Sequence, residues 1–175
     1  MESTHRLTPI RDGQQRLELH GSFPPHWPGH LTAGLAGKKI SILSGNARKK
    51  QFEWNASFTL DFSRFLGLPD KVNYVELAQT EPAGLPDEAI RLDDFVLRRL
   101  ASGDVEVTIT GPDQIGFLAR FLRKVTFLSL FPKEFDIDTI GGAIRDRFVF
   151  GGIGSLKPTA AVEEILNKTL KGLVE

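Results

Sequence analysis

The sequence contains no cysteine and a single methionine. Without thiols there is no disulfide framework, no thiolate nucleophile and no cysteine-built zinc site. Net charge is missing too. Lysine and arginine number 22 and aspartate and glutamate 22, which removes the basic excess that a general nucleic-acid binder carries. No apolar run approaches the roughly 20 residues needed to cross a bilayer. The N-terminal stretch MESTHRLTPIRDGQQ is polar and lacks the apolar centre of a secretory signal. These absences predict a cytoplasmic chain that contacts neither membrane nor nucleic acid directly. Motifs of catalysis are lacking as well: there is no G-x-S-x-G, no H-E-x-x-H and no G-x-G-x-x-G. The glycine-rich GGIGSLKPT at 151–159 precedes a helix, but Lys157-Pro158-Thr159 breaks the Gly-Lys-Ser/Thr order of a phosphate loop. No catalytic residue, metal ligand or cofactor is assigned, and enzymatic activity is left open.

What is present is a well-stocked core and a clear order of elements. Hydrophobic residues make up 41% of the 175, enough for one domain or two small ones. Residues 1–14 read as a flexible N-terminal arm. Residues 15–21 alternate as a strand, SFPPHWP excludes helix interior, and Pro28 opens a short helix that stops at Gly37. A strand pair follows over 38–50 and 51–62. In its second member Phe52, Trp54, Ala56, Phe58 and Leu60 share one face and polar residues the other. One wet face implies an antiparallel or mixed sheet covered on one side. A helix over 68–79, a turn-rich linker over 80–89 and a strand near 95–100 complete the first half.

The second half begins again. VEVTIT is a strand. Residues 115–128 form a helix with Leu118, Phe121, Leu122 and Val125 at i, i+3, i+4, i+7. Strands follow over 134–146 and 147–154, with an irregularity at Gly141-Gly142, then a helix over 158–175 opened by Pro158. Both halves therefore give strand, glycine-bearing loop, helix, strand, strand, helix, an internal repeat of domain size. The fold class is α+β, with two ferredoxin-like βαββαβ repeats at 15–100 and 101–175. No strand follows the last helix. Either 95–100 supplies the fourth strand of the second sheet, or that sheet has three.

The turn TGPDQIGFLARFL at 110–122 carries chemistry of its own. Asp113 is a candidate cap, yet Gly116 sits in the first helical turn, where glycine costs about 1 kcal/mol against alanine. The run VEVTITGPDQIGFLARFL resembles the opening of an ACT domain, through Asp113, Gly116, Phe117, Leu118 and the stripe to Leu122. HWPGHLTAGLAGKKISI is a weaker echo through Pro28, Gly29, Leu31 and the Ile40-to-Ile42 strand, with His26 at the acidic position. The resemblance implies a tandem ACT module, similar to the glycine cleavage system repressor and to amino-acid-sensing regulatory subunits. In such modules effectors bind between paired units, near the glycine-bearing loop. It also implies a small-molecule effector, an amino acid among the candidates, and a homodimer or a protein partner.

Backbone N–H groups at a helix start attract anions, and glycine allows close approach. The candidate ligand-binding residues are Asp113, Gln114, Ile115, Gly116, Phe117 and Leu118 in the second half. In the first half they are His26, Trp27, Pro28, Gly29, His30 and Leu31. The competing reading of each glycine is tight helix–strand packing. His20, His26 and His30 fall within eleven residues, but Pro28-Gly29 separates the last two and no carboxylate lies among them; ordinary loop histidines are expected. Arg48, Lys49 and Lys50 read as solvated charges at a hairpin turn. Two other functions stay in view: a ligand-free interaction or dimerisation module using strand edges, and a small enzyme on the same scaffold.

Overall fold

The computed structural model describes residues 2–84, 88–154 and 156–174. Met1 of the expected arm, three residues of the expected linker (85–87), Ser155 of the glycine-rich stretch and Glu175 of the expected last helix lie outside that set.

The first half contains β1 (Thr4–Arg11), β2 (Gln14–Gly21), α1 (Trp27–Gly37), β3 (Ser41–Lys50), β4 (Glu53–Asp61) and α2 (Tyr74–Gln79). The second contains β5 (Asp94–Arg99), β6 (Val105–Pro112), α3 (Phe117–Thr126), β7 (Phe131–Ile140), β8 (Ala143–Gly151) and α4 (Ala160–Val174). All eight strands join one sheet in the order β1-β2-β4-β3-β7-β8-β6-β5, and every pairing is antiparallel. The α+β class and the covered antiparallel sheet agree with the sequence reading.

The order of elements within a half differs from it. Each half runs ββαββα rather than βαββαβ. The outer fourth strand precedes its neighbour in the chain and forms a hairpin with it. Residues 4–11, expected as a loose arm, are the edge strand β1, registered against β2 from Thr4↔His20 to Arg11↔Gln14. By the same rule β5 pairs with β6, so residues 94–99 belong to the second half and not to a repeat ending at 100. The two halves are thus mirror sequences of strands about the central β3–β7 pairing, Ser44↔Asp138 through Arg48↔Glu134.

Alternation explains the layers. On β4, Trp54, Ala56, Phe58 and Leu60 are buried. Phe52 falls out of that series: it sits in the tight turn with Gln51 and is 83% exposed. On β6, Val105, Val107 and Ile109 are fully buried. Helices α1 and α3 cover the middle of this face, and α2 and α4 its flanks. Trp27 of α1 meets Trp54 edge-on at 5.3 Å and reaches Phe135 of β7 at 6.0 Å. Phe121 of α3 meets Phe148 at 5.2 Å. One apolar core therefore runs through both halves. The opposite face is polar. Arg147 bonds Glu106, Glu134 and Asp136, Arg48 bonds Asp136, and Arg98 bonds Glu106, tying β3, β7, β8, β6 and β5 together. Arg48 is therefore a cross-strand partner within β3, not a solvated turn charge.

The expected irregularity at Gly141-Gly142 is a turn. Both residues have positive φ, 59° and 78°, as a two-residue type I′ hairpin requires. That moves the strand boundary from 146 to 140 and fixes which side chains of β8 face the helices: Ile144, Asp146, Phe148 and Phe150.

Candidate functional site

The helix-opening loop of the second half resolves into a compact turn. The Asp113 N–H donates to Gly142 O at 2.8 Å, and the Phe117 N–H to Gln114 O at 2.9 Å. Gln114 Oε1 accepts the Arg91 N–H at 3.1 Å. The residue that opens α3 is Gly116, with φ 72° and ψ 9°, and no side chain caps the helix. Asp113 is therefore not the cap. Nor does crowding demand this glycine, because the atoms nearest to an added Cβ belong to Arg120 at 3.6 Å. It is the left-handed torsion that selects glycine. No backbone acceptor among the described residues takes the N–H groups of Leu118 and Ala119, which leaves two helix-start donors at this loop.

This loop forms one wall of a cleft of about 470 Å³. Asp113, Gln114, Ile115, Gly116, Phe117 and Leu118 all line it, although Phe117 is itself 3% exposed and stacks on Phe121. The facing wall comes from the other half: Ala36 and Gly37 at the end of α1, Lys39, the first residues of β3, and Arg64. Asp146 of β8 lies on the floor.

A second cleft, of about 520 Å³, stands in the corresponding place of the first half. His26, Pro28, Gly29 and His30 line it, with Leu122, Arg123 and Thr126 of α3, Phe127 just after that helix, and Glu81 and Pro82. Two expected residues are not there. Trp27 and Leu31 are fully buried on the inner face of α1, where helical spacing points them at the sheet. Gly29 lies inside α1, and an added Cβ would stand 3.8 Å from Leu122, an ordinary contact.

The histidines separate. His20 shares a hydrogen bond with Asn55 at 2.8 Å on the open sheet face. His26 and His30 lie on the helix side with rings 6.0 Å apart. Among the described residues no group of three potential ligands is placed to hold a metal. His30 Nδ1 is buried without a hydrogen-bond partner among the described residues, and burial, then the charge of His26, lowers its pKa against the opposing pull of Glu81 and the Ala78 backbone. In the glycine-rich 151–159 stretch, Lys157 pairs with Asp104 at 3.2 Å.

Sequence reasoning missed Asp146, Lys39 and Arg64. Asp146 is 4% exposed. Its Oδ1 accepts the Asp138 N–H at 3.2 Å. Burial raises its carboxyl to about 7 from an ordinary 3.8; the charges of Asp113 and Asp138 add to the rise and the Asp138 N–H opposes it. A signal existed. With the hairpin turn at 141–142, AIRDRFVF alternates, and Asp146 is the polar residue in an otherwise apolar inward series. Lys39 and Arg64 reach the cleft from distant chain segments and leave no local trace.

The fold defines a class: an α+β protein with an eight-stranded antiparallel sheet carrying helices on one face. No family model matches the chain, and no curated protein matches it. Among solved structures, the crystal structure of aspartate kinase from Synechocystis is similar over 95% of this chain, with 12% identity and a TM-score of 0.46. The chain spans 28% of that protein's length. No helix of the described residues is long and apolar enough to cross a membrane.

Proposed function

We propose that this chain is a regulatory module that senses a small effector, an amino acid being the leading class, through two ACT-like units. The observation that carries the reading is the composition of the clefts. Each helix-opening loop of one half is closed over by the helix end of the other. A ligand seated there touches both halves at once, so its binding energy bears on how they pack. The cleft of about 470 Å³ also offers acidic and basic groups, Asp113 and Asp146 against Lys39 and Arg64, together with the N–H donors of Leu118 and Ala119. That is the complement of a zwitterion.

The ACT resemblance implies pairing of two units, and the β3–β7 pairing within one chain supports that reading. The outer strands are poorly suited to edge pairing: Pro9 within β1 has no N–H to donate, and Asp94, Arg98 and Arg99 charge β5. These features favour the sensor over a dimerisation module built on strand edges.

The test is a thermal-unfolding screen against the twenty amino acids and common nucleotides at millimolar concentration. A ligand at a hundredfold excess over its Kd adds about 2.7 kcal/mol of stability. A selective rise with one compound, reduced when the loop is altered by Gly116→Asn, supports the reading. A flat screen refutes it and turns the search to a protein partner.

A further inference from the structure

We propose that Asp146 is the counter-ion for a protonated amine on the ligand of the 470 Å³ cleft, so that this cleft takes amine-bearing small molecules and rejects their deaminated analogues. The inference rests on the sensor reading, but it fails by a different result.

The first argument is placement. Asp146 stands at the middle of β8, on the helix-facing side, and lines the 470 Å³ cleft while remaining 4% exposed. A carboxylate so far from water needs a partner of opposite charge or must give up its own charge. Asp146 has neither a lysine, an arginine nor a histidine bonded to it among the described residues. Its one hydrogen bond comes from the backbone of Asp138. The charges that act on it are Asp113, from the loop before α3, and Asp138, from β7, and both are negative. The cleft cations, Lys39 after α1 and Arg64 after β4, are not among the charges that act on it.

The second argument is symmetry. In the first half the residue at this place is Ala56: Ala56 pairs with Leu19 as Asp146 pairs with Ile109, and both are flanked by a buried phenylalanine two residues on. The architecture is content with a methyl group there. Folding does not call for a carboxylate, so its presence points to what the cleft holds. An amine seated between Asp146 and Asp113 answers both arguments. Lys39, Arg64 or the helix-start N–H groups then take an anionic group on the same molecule. The amine has two possible sources, the α-ammonium of an amino acid or the amine of a side chain or diamine.

The experiment follows the Asp146 carboxyl carbon by NMR in the full chain labelled at aspartate, with Asp146→Asn supplying the assignment. The probes are the twenty amino acids, the 2-oxo acids of those that act, putrescine and ethylammonium, each at pH 6 to 8. The expected result is that an amine-bearing probe displaces the Asp146 resonance and its 2-oxo analogue does not. Its affinity rises with pH, up to about tenfold per pH unit, until Asp146 is ionised. In Asp146→Asn, which keeps the bond from the Asp138 N–H, affinity at pH 8 falls at least about tenfold and the pH profile flattens. Asp146→Ala, which copies Ala56, gives the same loss in a variant whose fold the first half already exemplifies. Binding of neutral amino acids but not putrescine assigns the α-ammonium; the reverse assigns a side-chain amine. The proposal is overturned if no amine displaces the resonance, or if either variant binds as the wild type does. Displacement by ethylammonium with no amino acid or nucleotide bound would keep Asp146 and sink the sensor reading.

Discussion

Replacing Asp146 by asparagine in the unliganded protein should make it more stable, and increasingly so as pH rises. The carboxyl has an ordinary pKa of 3.8 when the chain is unfolded and one of about 7 when burial surrounds it. Between those values the unfolded chain has released the proton and the folded one still holds it. Stability therefore falls as pH rises through that window, and the full cost is present above about 7. Each pH unit is worth about 1.4 kcal/mol, so ionising Asp146 in the folded state costs about 4 kcal/mol. Asparagine is neutral throughout and still accepts the Asp138 N–H. The difference between variant and wild type should be near zero at pH 4 and approach about 4 kcal/mol at pH 8, or roughly 8–16 °C in Tm for a chain of this size. Unfolding curves of both proteins at constant ionic strength across pH 4 to 8.5 provide the check. Taking the difference cancels the other carboxylates. Parallel curves would refute the reasoning, because they would mean that the buried carboxylate is hydrated or relaxed at little cost.

Gly116→Val should destabilise by about 1–2 kcal/mol or more, because a β-branched residue is forced to φ 72°, while Gly116→Asn, which tolerates that region, should lose less; urea unfolding ranks the two, and equal stability would contradict the torsional argument. Trp27→Ala should cost about 3–5 kcal/mol, since the ring joins Trp54 of one half to Phe135 of the other, and a loss under 1 kcal/mol in the same assay would show that the helix is not anchored there. Glu106→Gln should cost about 1–3 kcal/mol at pH 7. Bonds from Arg98, working with Arg147 against burial, hold its carboxyl below the ordinary 4.5, so this contribution exists above that value and disappears as pH falls through the depressed one. An undiminished difference at pH 3 would count against the network.

The parts of the fold legible in the sequence were those whose periodicity meets a buried face. The Trp54–Leu60 alternation and the Leu118–Val125 stripe are of this kind, and the repeat of elements followed from them. Strand β1 was not legible for the converse reason. All its residues but half-buried Leu7 are exposed, and Pro9 sits within it, so THRLTPIR carries no hydrophobic alternation and only pairing with β2 reveals it. Reading Gly141-Gly142 as a flaw in a strand rather than as a hairpin shifted the frame of β8 and hid Asp146. The loops opening α1 and α3 were found because Gly116 and Pro28-Gly29 are local marks. The walls facing them were not, because Lys39 and Arg64 are brought to residues 113–118 only by the packing of one half on the other. Trp27 and Leu31 were given to the ligand when the phase of the helix gives them to the core.

The two clefts share more than a plan. The first turns of α1 line one cleft and its last turn the other; α3 does the same in the opposite sense. Each is a rod of about 15 Å with an end in either chamber. The clefts therefore share two walls, as two pans share a balance beam: a ligand that drew one pair of helix ends together would act on the opposite pair through the same rods. Occupancy of one cleft should change the affinity of the other, and by the same factor whichever is filled first.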